Sequence, residues 1–574
     1  MREMKQILSC LRPYIGRMSV GFAIKVAATI VELLIPWALS VMIDEVIPLG
    51  KVGFIFAWGG IMILFAVLAL VGNIVANRMA SLVARNTTER IRLQLYSKIS
   101  FLSARQQEAF TMPSLLTRAT SDTYNIHQML GMMQRLGVRQ PIMLFGGLFV
   151  TLTMDAHLTL IMLAMIPPMA VFVYLFSSRG IPMYTKVHEA LDRFTRLVRE
   201  DTAGVRVIKA LSKTDTEREK FAKINNEVVN KEWKAGMVMG AMHPMMGFFL
   251  NIGMVLVIYF GAVRVNLGLT KPGVIVAFMS YVTVILNSIL FLSRMFVNFS
   301  KATASARRIT EVLNQPEDLL IEEKSERRDF SSHIVFDQVS FGYEGSEHSL
   351  HNISFDVKHG STLGIIGATG SGKSTIINLL MRYYDPQEGG VFIDGLDVRA
   401  YAGRELKTMF GVAFQNDVIF HDTIRENIRF GRDLSDEEIM KAAEAAQATA
   451  FIEEKGLDFM VAIRGMNLSG GQKQRLLIAR ALAGSPKMLI LDDSSSALDY
   501  ATDAKLRQAI HANYNDITTV IVAQRISSIM NADRILVLEE GEIIGDGNHE
   551  HLMKTCEVYR EISESQMGGG DLGD

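Results

Sequence analysis

The sequence predicts a multi-domain protein: an all-α domain of six membrane-crossing helices, followed by an α/β domain of the P-loop type. Three observations carry this expectation. Long apolar runs fill the chain before residue 300, whereas charged residues and turn signals dominate after it. Basic residues cluster in alternate connections between the apolar runs. A glycine-rich loop with a lysine and a serine sits between an apolar strand and an apolar helix in the second half. A chain of 574 residues is also too long for one hydrophobic core, so at least two domains are expected.

Composition narrows the function classes. The formal net charge is −1, so no global polarity argues for nucleic acid as a partner. Cys10 and Cys556 lie near opposite ends and belong to no CxxC or Cys/His cluster, which argues against a zinc site or a disulfide framework. The basic N-terminus carries Arg2, Lys5, Arg12 and Arg17. The apolar run after it is longer than a signal-peptide core and is read as a retained first span.

A spanning helix needs roughly 20 mostly apolar residues. Six candidates are Met18–Ile43, Phe54–Ala76, Arg139–Met154, Leu158–Phe176, Pro244–Val263 and Gly273–Val297; the third must begin earlier, near Met129, to be long enough. The connection after the second span holds Arg78, Arg85, Arg90, Arg92 and Lys98. The connection after the fourth holds Arg179, Lys186, Arg193, Arg196, Arg199, Arg206 and Lys209. The connections near Asp44–Lys51, Asp155–His157 and Arg264–Lys271 are short and nearly neutral. Positive residues stay inside, so both termini are expected in the cytoplasm. The two basic connections have few Pro or Gly breaks and read as helices that continue spans two to five beyond the bilayer. Within the spans, Lys25 and Glu32 lie seven apart, on one helix face. Lys25 is expected to snorkel to the interface; Glu32 is read either as cavity lining or as half of a structural pair. Pro36 is expected to kink the first span. Met237, Met239, Met242, Met245 and Met246 are expected to pack plainly rather than to line an adaptable pocket.

Residues 1–313 are thus assigned to the membrane domain, 314–332 to a polar linker containing Pro316, Glu322, Glu323 and Lys324, and 333–574 to the soluble domain. Short apolar strands at Ile334–Phe336, Ile353–Val357 and Thr362–Ile366, with helical patterns between later strands, read as α/β. Thr362–Ile366 runs into Gly367, Ala368, Thr369, Gly370, Ser371, Gly372, Lys373, Ser374 and Thr375, then an apolar helix. This is G-x-x-x-x-G-K-[ST] in its required strand–loop–helix setting. Backbone N–H groups and a helix N-terminus favour phosphate there; Lys373 is suited to the β- and γ-phosphates of ATP and Ser374 to Mg²⁺. Met488–Leu491 is an apolar strand ending in Asp492, roughly 120 residues after the loop, which fits the Mg²⁺-holding aspartate that accompanies such a loop.

Between these motifs lie Leu468, Ser469, Gly470, Gly471 and Gln472, followed by Lys473-Gln474-Arg475. A pentapeptide so placed resembles the signature of ATP-binding-cassette transporters, and six spans before one cassette resemble a half-size exporter. The resemblance implies that Tyr343 stacks on adenine, that Gln415 touches Mg²⁺, and that Ser496-Ala497-Leu498-Asp499 forms a loop crossing a dimer interface. It implies that Phe110–Asp122 and Asp201–Phe221 dock onto cassettes. It also implies two cassettes paired head to tail, each ATP lying between one chain's phosphate loop and the other's signature, with two membrane domains in the bilayer.

The sequence departs from that family pattern in three places. Asp493 stands where a glutamate usually polarises the attacking water; it is one methylene shorter, and a displacement of roughly 1 Å can cost on the order of 10²-fold. Gln524 stands where the family has histidine; it can donate a neutral hydrogen bond but carries no imidazolium charge. Ile463 stands where a glutamate is usual in a coupling loop. Asp493 and Gln524 together imply a degenerate ATP site, whereas the Leu468–Gln472 signature is intact. The expectation is therefore a heterodimer with a second half-transporter that keeps the glutamate and histidine, in a bacterial cell membrane, exporting a small amphipathic substrate such as a drug, lipid or peptide. An importer of metal chelates on the same fold and a mainly regulatory ATP-binding subunit are the alternatives.

Overall fold

The computed structural model of the chain describes residues 2–322, 326–343, 349–415, 417–494 and 498–567. Glu323 and Lys324 of the expected linker, and Ser496 and Ala497 of the expected interface loop, lie outside the described residues. Internal contacts divide the chain into two compact units. One comprises Met1–Ser100 with Met112–Gln315, the other Phe101–Thr111 with Pro316–Asp574.

The first unit is all helix. Its long helices are α1 (Ile15–Val41), α2 (Val52–Ser100), α3 (Thr123–Met154), α4 (Ala156–Ala203), α5 (Thr214–Gly240), α6 (Met242–Asn266) and α7 (Pro272–Leu313). They contain six segments long and apolar enough to cross a membrane, with α5 and α6 forming one of them. At 1.5 Å rise per residue, the 49 residues of α2 extend about 74 Å, well beyond the roughly 30 Å hydrocarbon core. The basic connections are therefore helical continuations of the spans. α1 runs through Pro36 and is followed by a π turn at Met42–Val46. Of the methionines, Met246 is buried in the apolar core beside Val257, Phe278 and Tyr281, Met242 packs against that core, and Met237 is exposed.

Small residues let two helices of this unit approach closely. A Cβ on Gly72 would lie 2.8 Å from the Cβ of Ala28, so α1 and α2 touch nearly backbone to backbone, as small residues permit in membrane helices. Polar cross-links tie the start of α3 to α7. Asp122, 1% exposed, accepts hydrogen bonds from Ser305 Oγ (2.8 Å), Arg308 Nε (2.7 Å) and Arg308 Nη2. Arg118 Nη1 donates to the Arg308 carbonyl (2.8 Å), and Asn125 Nδ2 to Ser305 Oγ (3.0 Å). These residues, spaced by about one and two helical turns, present one face.

The second unit is α/β with two sheets. Antiparallel strands β1 (Ile334–Phe341), β2 (Leu350–Val357), β4 (Glu388–Ile393) and β5 (Leu396–Asp397) take the order β2-β1-β4-β5. The larger sheet has the order β10-β9-β3-β8-β7-β6. Its strands are β3 (Thr362–Gly367), β6 (Phe410–Ala413), β7 (Met488–Asp492), β8 (Thr518–Val522), β9 (Arg534–Glu539) and β10 (Glu542–Gly547). β9, β3, β8, β7 and β6 are mutually parallel and β10 is antiparallel to β9. β3, β7 and β8 are almost wholly buried, as strands covered on both faces must be. The short helix Ala104–Phe110 belongs to this unit: Ser103 Oγ donates to Asp318 (2.5 Å) and Gln106 Nε2 to the Pro316 carbonyl (2.8 Å). It precedes most of the Phe110–Asp122 stretch that the sequence singled out; the bulk of that stretch belongs to the helical unit.

Replacing Asp122 with alanine strands Arg308 and Ser305 together. The loss is expected to be about 2–3 kcal/mol, the lower end for breaking a buried ion pair, because Arg308 can reach solvent. Thermal unfolding in detergent micelles should show a clear drop for Asp122→Ala and a smaller one for Arg308→Ala. Equal melting temperatures for wild type and Asp122→Ala would contradict the cross-link.

Candidate nucleotide site

The parallel register builds the site. Ile365 of β3 pairs with Val522 of β8, and Val522 with Asp492 of β7; Leu491 pairs with Ala413 of β6. The carboxyl ends of four neighbouring strands therefore finish level, which is where open α/β sheets bind ligands. The residues just past those ends are the phosphate loop after β3, Gln524 after β8, Asp493 after β7 and Gln415 after β6.

The loop between β3 and helix α8 (Lys373–Leu380) needs glycine at both ends. Gly372 has φ +98°, and a Cβ there would lie 2.5 Å from Leu350 Cδ2; a Cβ on Gly367 would lie 2.1 Å from the Leu538 carbonyl oxygen. Lys373 Nζ spans the loop, donating to the carbonyls of Gly367 (2.9 Å) and Ala368 (2.7 Å). Thr369, Gly370 and Ser371 complete the turn, with Ser371 N donating to the Ala368 carbonyl (3.2 Å). Ser371 Oγ is buried with no hydrogen-bond partner, a polar atom facing a loop shaped to hold phosphate oxygens.

Ser374 Oγ lies 3.4 Å from Asp492 Oδ2. Burial pushes the Asp492 carboxyl above the ordinary aspartate range, helped by its neighbour Asp493 and opposed by Ser374 and Lys373. Burial likewise pushes Asp493 upward against the pull of Arg525, Lys373 and Gln415. Burial pushes Lys373 downward, while the two aspartates pull it back. A hard divalent cation takes oxygen donors, and Ser374 Oγ, the Asp492 carboxylate and the Gln415 carbonyl form such a set. These residues fit Mg²⁺, which supplies charge neutralisation at the phosphates when bound.

Asp493 has φ +47°, a left-handed backbone uncommon for a non-glycine residue. Its N–H donates to the Val522 carbonyl (2.8 Å). Its Oδ2 accepts from both Gln415 Nε2 and Gln524 Nε2, each at 3.0 Å. Sequence reasoning named all three residues but not this convergence on one oxygen. It also missed Gln566, whose Nε2 donates to the Gln524 carbonyl and whose Oε1 accepts from Ile526 N, both at 2.8 Å. No motif surrounds Gln566, so only the folded chain reveals it.

The remaining named residues sit apart from this cluster. Tyr343 OH lies 3.4 Å from Thr375 Oγ1 and accepts from Asn378 Nδ2 (3.1 Å). Its ring stands edge-on to Phe341 and Tyr384. Leu468 is buried. Ser469 caps helix α9 (Gly470–Leu482): Gln472 N donates to Ser469 Oγ (3.2 Å) and Ser469 N to Gln472 Oε1 (2.9 Å). This capping box orients the helix N-terminus that begins with Gly470 and Gly471. Asp499 caps helix α10 (Tyr500–Asn513), accepting from Thr502 N and Thr502 Oγ1, both at 2.8 Å. Ile463 is exposed.

Two family profiles match the chain. One is described as the ABC transporter transmembrane region and matches residues 18–289; the other is described as ABC transporter and matches residues 350–496. The uncharacterized ABC transporter ATP-binding protein YfiB of Bacillus subtilis is 34% identical over 569 residues, covering 98% of this chain and 99% of that protein. The uncharacterized ABC transporter ATP-binding protein Rv1273c of Mycobacterium tuberculosis is 32% identical over 570 residues, covering 98% of each. Among solved structures, that of a bacterial Atm1-family ABC exporter with ATP bound superposes with a TM-score of 0.81 over 96% of this chain and 99% of that one, at 23% identity; the likeness is one of fold.

The raised Asp492 fixes a sign. A carboxyl whose folded-state value lies above its unfolded one stabilises the fold only below the unfolded value, and that contribution is lost as pH rises through the folded value. At neutral pH, well above the unfolded value, Asp492 therefore opposes folding. Asp492→Asn is expected to raise the nucleotide-free melting temperature at pH 7, by an amount that shrinks as pH falls into the carboxyl range, and to remove the Mg²⁺ dependence of nucleotide affinity. A lower melting temperature with Mg²⁺-dependent binding intact would contradict this.

Proposed function

The chain belongs to the ABC transporter family, with one membrane domain and one ATPase cassette, and from that premise we infer that it is the degenerate-site half of a heterodimeric exporter. The carrying observation is the single oxygen shared by three residues. Asp493 Oδ2 receives the amide hydrogens of Gln415 and Gln524 at 3.0 Å each. A general base needs a free lone pair directed at its water and a geometry matched to the reacting phosphate. Here one carboxylate oxygen is engaged by two neutral donors, on a side chain one methylene shorter than glutamate. Gln524 commits one of its two amide hydrogens to Asp493 and brings no positive charge toward a γ-phosphate.

The phosphate loop supports the other half of the reading. The glycine-rich turn, Lys373 across its mouth and the Ser374–Asp492 pair favour tight nucleotide binding. Holding is thus separated from cleaving in one cassette. The Ser469–Gln472 capping box keeps the α9 N-terminus presented, which suits it to complete a competent site on a partner chain bearing glutamate and histidine. Hydrolysis by the assembled transporter then runs chiefly at that partner site, and nucleotide held here biases the dimer toward its closed form. Both termini on the cytoplasmic side and an amphipathic substrate complete the reading; the basic connections support the orientation.

Restoring the family residues tests this. Asp493→Glu with Gln524→His is expected to raise Mg²⁺-dependent ATPase activity of the purified chain by about tenfold or more, given that misplacing a catalytic group costs on the order of 10²-fold. Lys373→Ala should instead abolish nucleotide binding. Robust hydrolysis by homodimers of the unaltered chain, unchanged by the double substitution, would overturn the assignment.

A further inference from the structure

We propose that the cavity between α1, α2 and α3 is an anion site that takes the negatively charged head of an amphipathic ligand. The proposal rests on reading the membrane half as the substrate path and adds a charge class to it. The cavity measures about 610 Å³, within the size range of small-molecule sites. Its lining includes Lys25, Arg135 and Arg139 against one carboxylate, Glu32.

The accounting of partners decides the sign. Arg139 is matched: its Nη2 lies 2.6 Å from Glu32 Oε1 and its Nε 3.3 Å from Glu32 Oε2. Lys25 forms no salt bridge among the described residues. It does not snorkel as its position near the start of α1 suggested. It is 3% exposed and donates to Asn73 Oδ1 (2.6 Å) and Asn77 Oδ1 (3.1 Å), two neutral acceptors one turn apart on α2. The close approach of Gly72 to Ala28 brings those amides within reach. Arg135 Nε donates to the Gly131 carbonyl of its own helix (3.0 Å). Among the described residues, no carboxylate forms a salt bridge with Lys25 or Arg135.

Three cations therefore face a cavity at membrane depth against one carboxylate, Glu32, which is already paired with Arg139, so the lining holds an excess of positive charge. Charge held there without compensation is costly, and such residues point into cavities that serve a ligand. An arginine offers paired N–H donors to phosphate, sulfate or carboxylate. The neutral asparagines fix Lys25 in place without cancelling it. Met132 and Leu136, in the same lining, give the ligand's apolar part a surface. Lys25 and Arg135 lie in the halves of α1 and α3 nearer the basic stretches, whereas Glu32 and Arg139 lie at or past mid-helix. An amphiphile with an anionic head is the ligand this arrangement fits, whether drawn from the bilayer as a phospholipid or arriving as a free single-chain compound.

The test is equilibrium binding to the full-length protein in phosphatidylcholine nanodiscs without nucleotide. Dodecyl phosphate is expected to bind at least about tenfold more tightly than dodecyltrimethylammonium, and more tightly than inorganic phosphate. Arg135→Gln should weaken dodecyl phosphate by about tenfold. Glu32→Gln should tighten it by about threefold, a gain that misfolding cannot produce. Phosphatidylglycerol in the nanodisc competes if the occupant is a bilayer lipid; unchanged binding in its presence assigns a free amphiphile. Equal affinity for the two dodecyl compounds, or Arg135→Gln binding as wild type does, overturns the proposal. Because no nucleotide is present, failure here leaves the exporter reading intact. Absence of transport in vesicles with these affinities intact would count against the exporter reading alone.

Discussion

The level carboxyl ends of β3, β8, β7 and β6 are the constraint on which the cassette's chemistry depends, because each strand delivers one part of the site at the same height. β3 leads into the phosphate loop, β7 ends in Asp492, and Gln524 and Gln415 follow β8 and β6. A slip of one residue in any pair would turn the buried side chains of that strand to the other face and carry its terminal residue out of reach. β3, β7 and β8 are buried on both faces, so the close packing of individual side chains, rather than an apolar–polar alternation, holds the register that levels the site. The backbone bond from Asp493 N to the Val522 carbonyl extends that register one residue past β7 and places the Asp493 side chain between two amides.

Both halves of the molecule use charge that the fold itself compensates only in part. In the cassette, Asp492 and Asp493 adjoin each other and burial raises both; a cation relieves them. In the membrane half, Lys25 and Arg135 are served by neutral oxygens only; an anion relieves them. Each arrangement costs stability in the empty protein and returns it on binding, which is how a site selects charge without selecting shape.

Local features were legible in the sequence, and features assembled from distant segments were not. The phosphate loop announces itself because strand, glycines, lysine and helix are contiguous. The six spans announce themselves because hydropathy is summed over one helix at a time. The convergence on Asp493 Oδ2 draws on three strands and has no linear trace. Lys25 was misjudged for the same reason: its distance from the start of α1 suggested an interfacial ammonium, but Asn73 and Asn77 on α2 hold it inside. Glu32 proved to be both lining and paired, since Arg139 lies just beyond it on α3. The short helix Ala104–Phe110 belongs to the cassette unit through the Ser103–Asp318 bond, which no pattern in the intervening sequence foretells.

The central claim is that this chain holds ATP without cleaving it. The direct measurement is a single-turnover experiment with the purified full-length chain in excess over radiolabelled ATP and Mg²⁺, with the ratio of bound ATP to ADP followed over time. The account predicts that bound nucleotide is recovered almost entirely as ATP long after a cassette with the family glutamate and histidine has converted its own. Conversion of the bound ATP to ADP within the seconds typical of a competent site would contradict it.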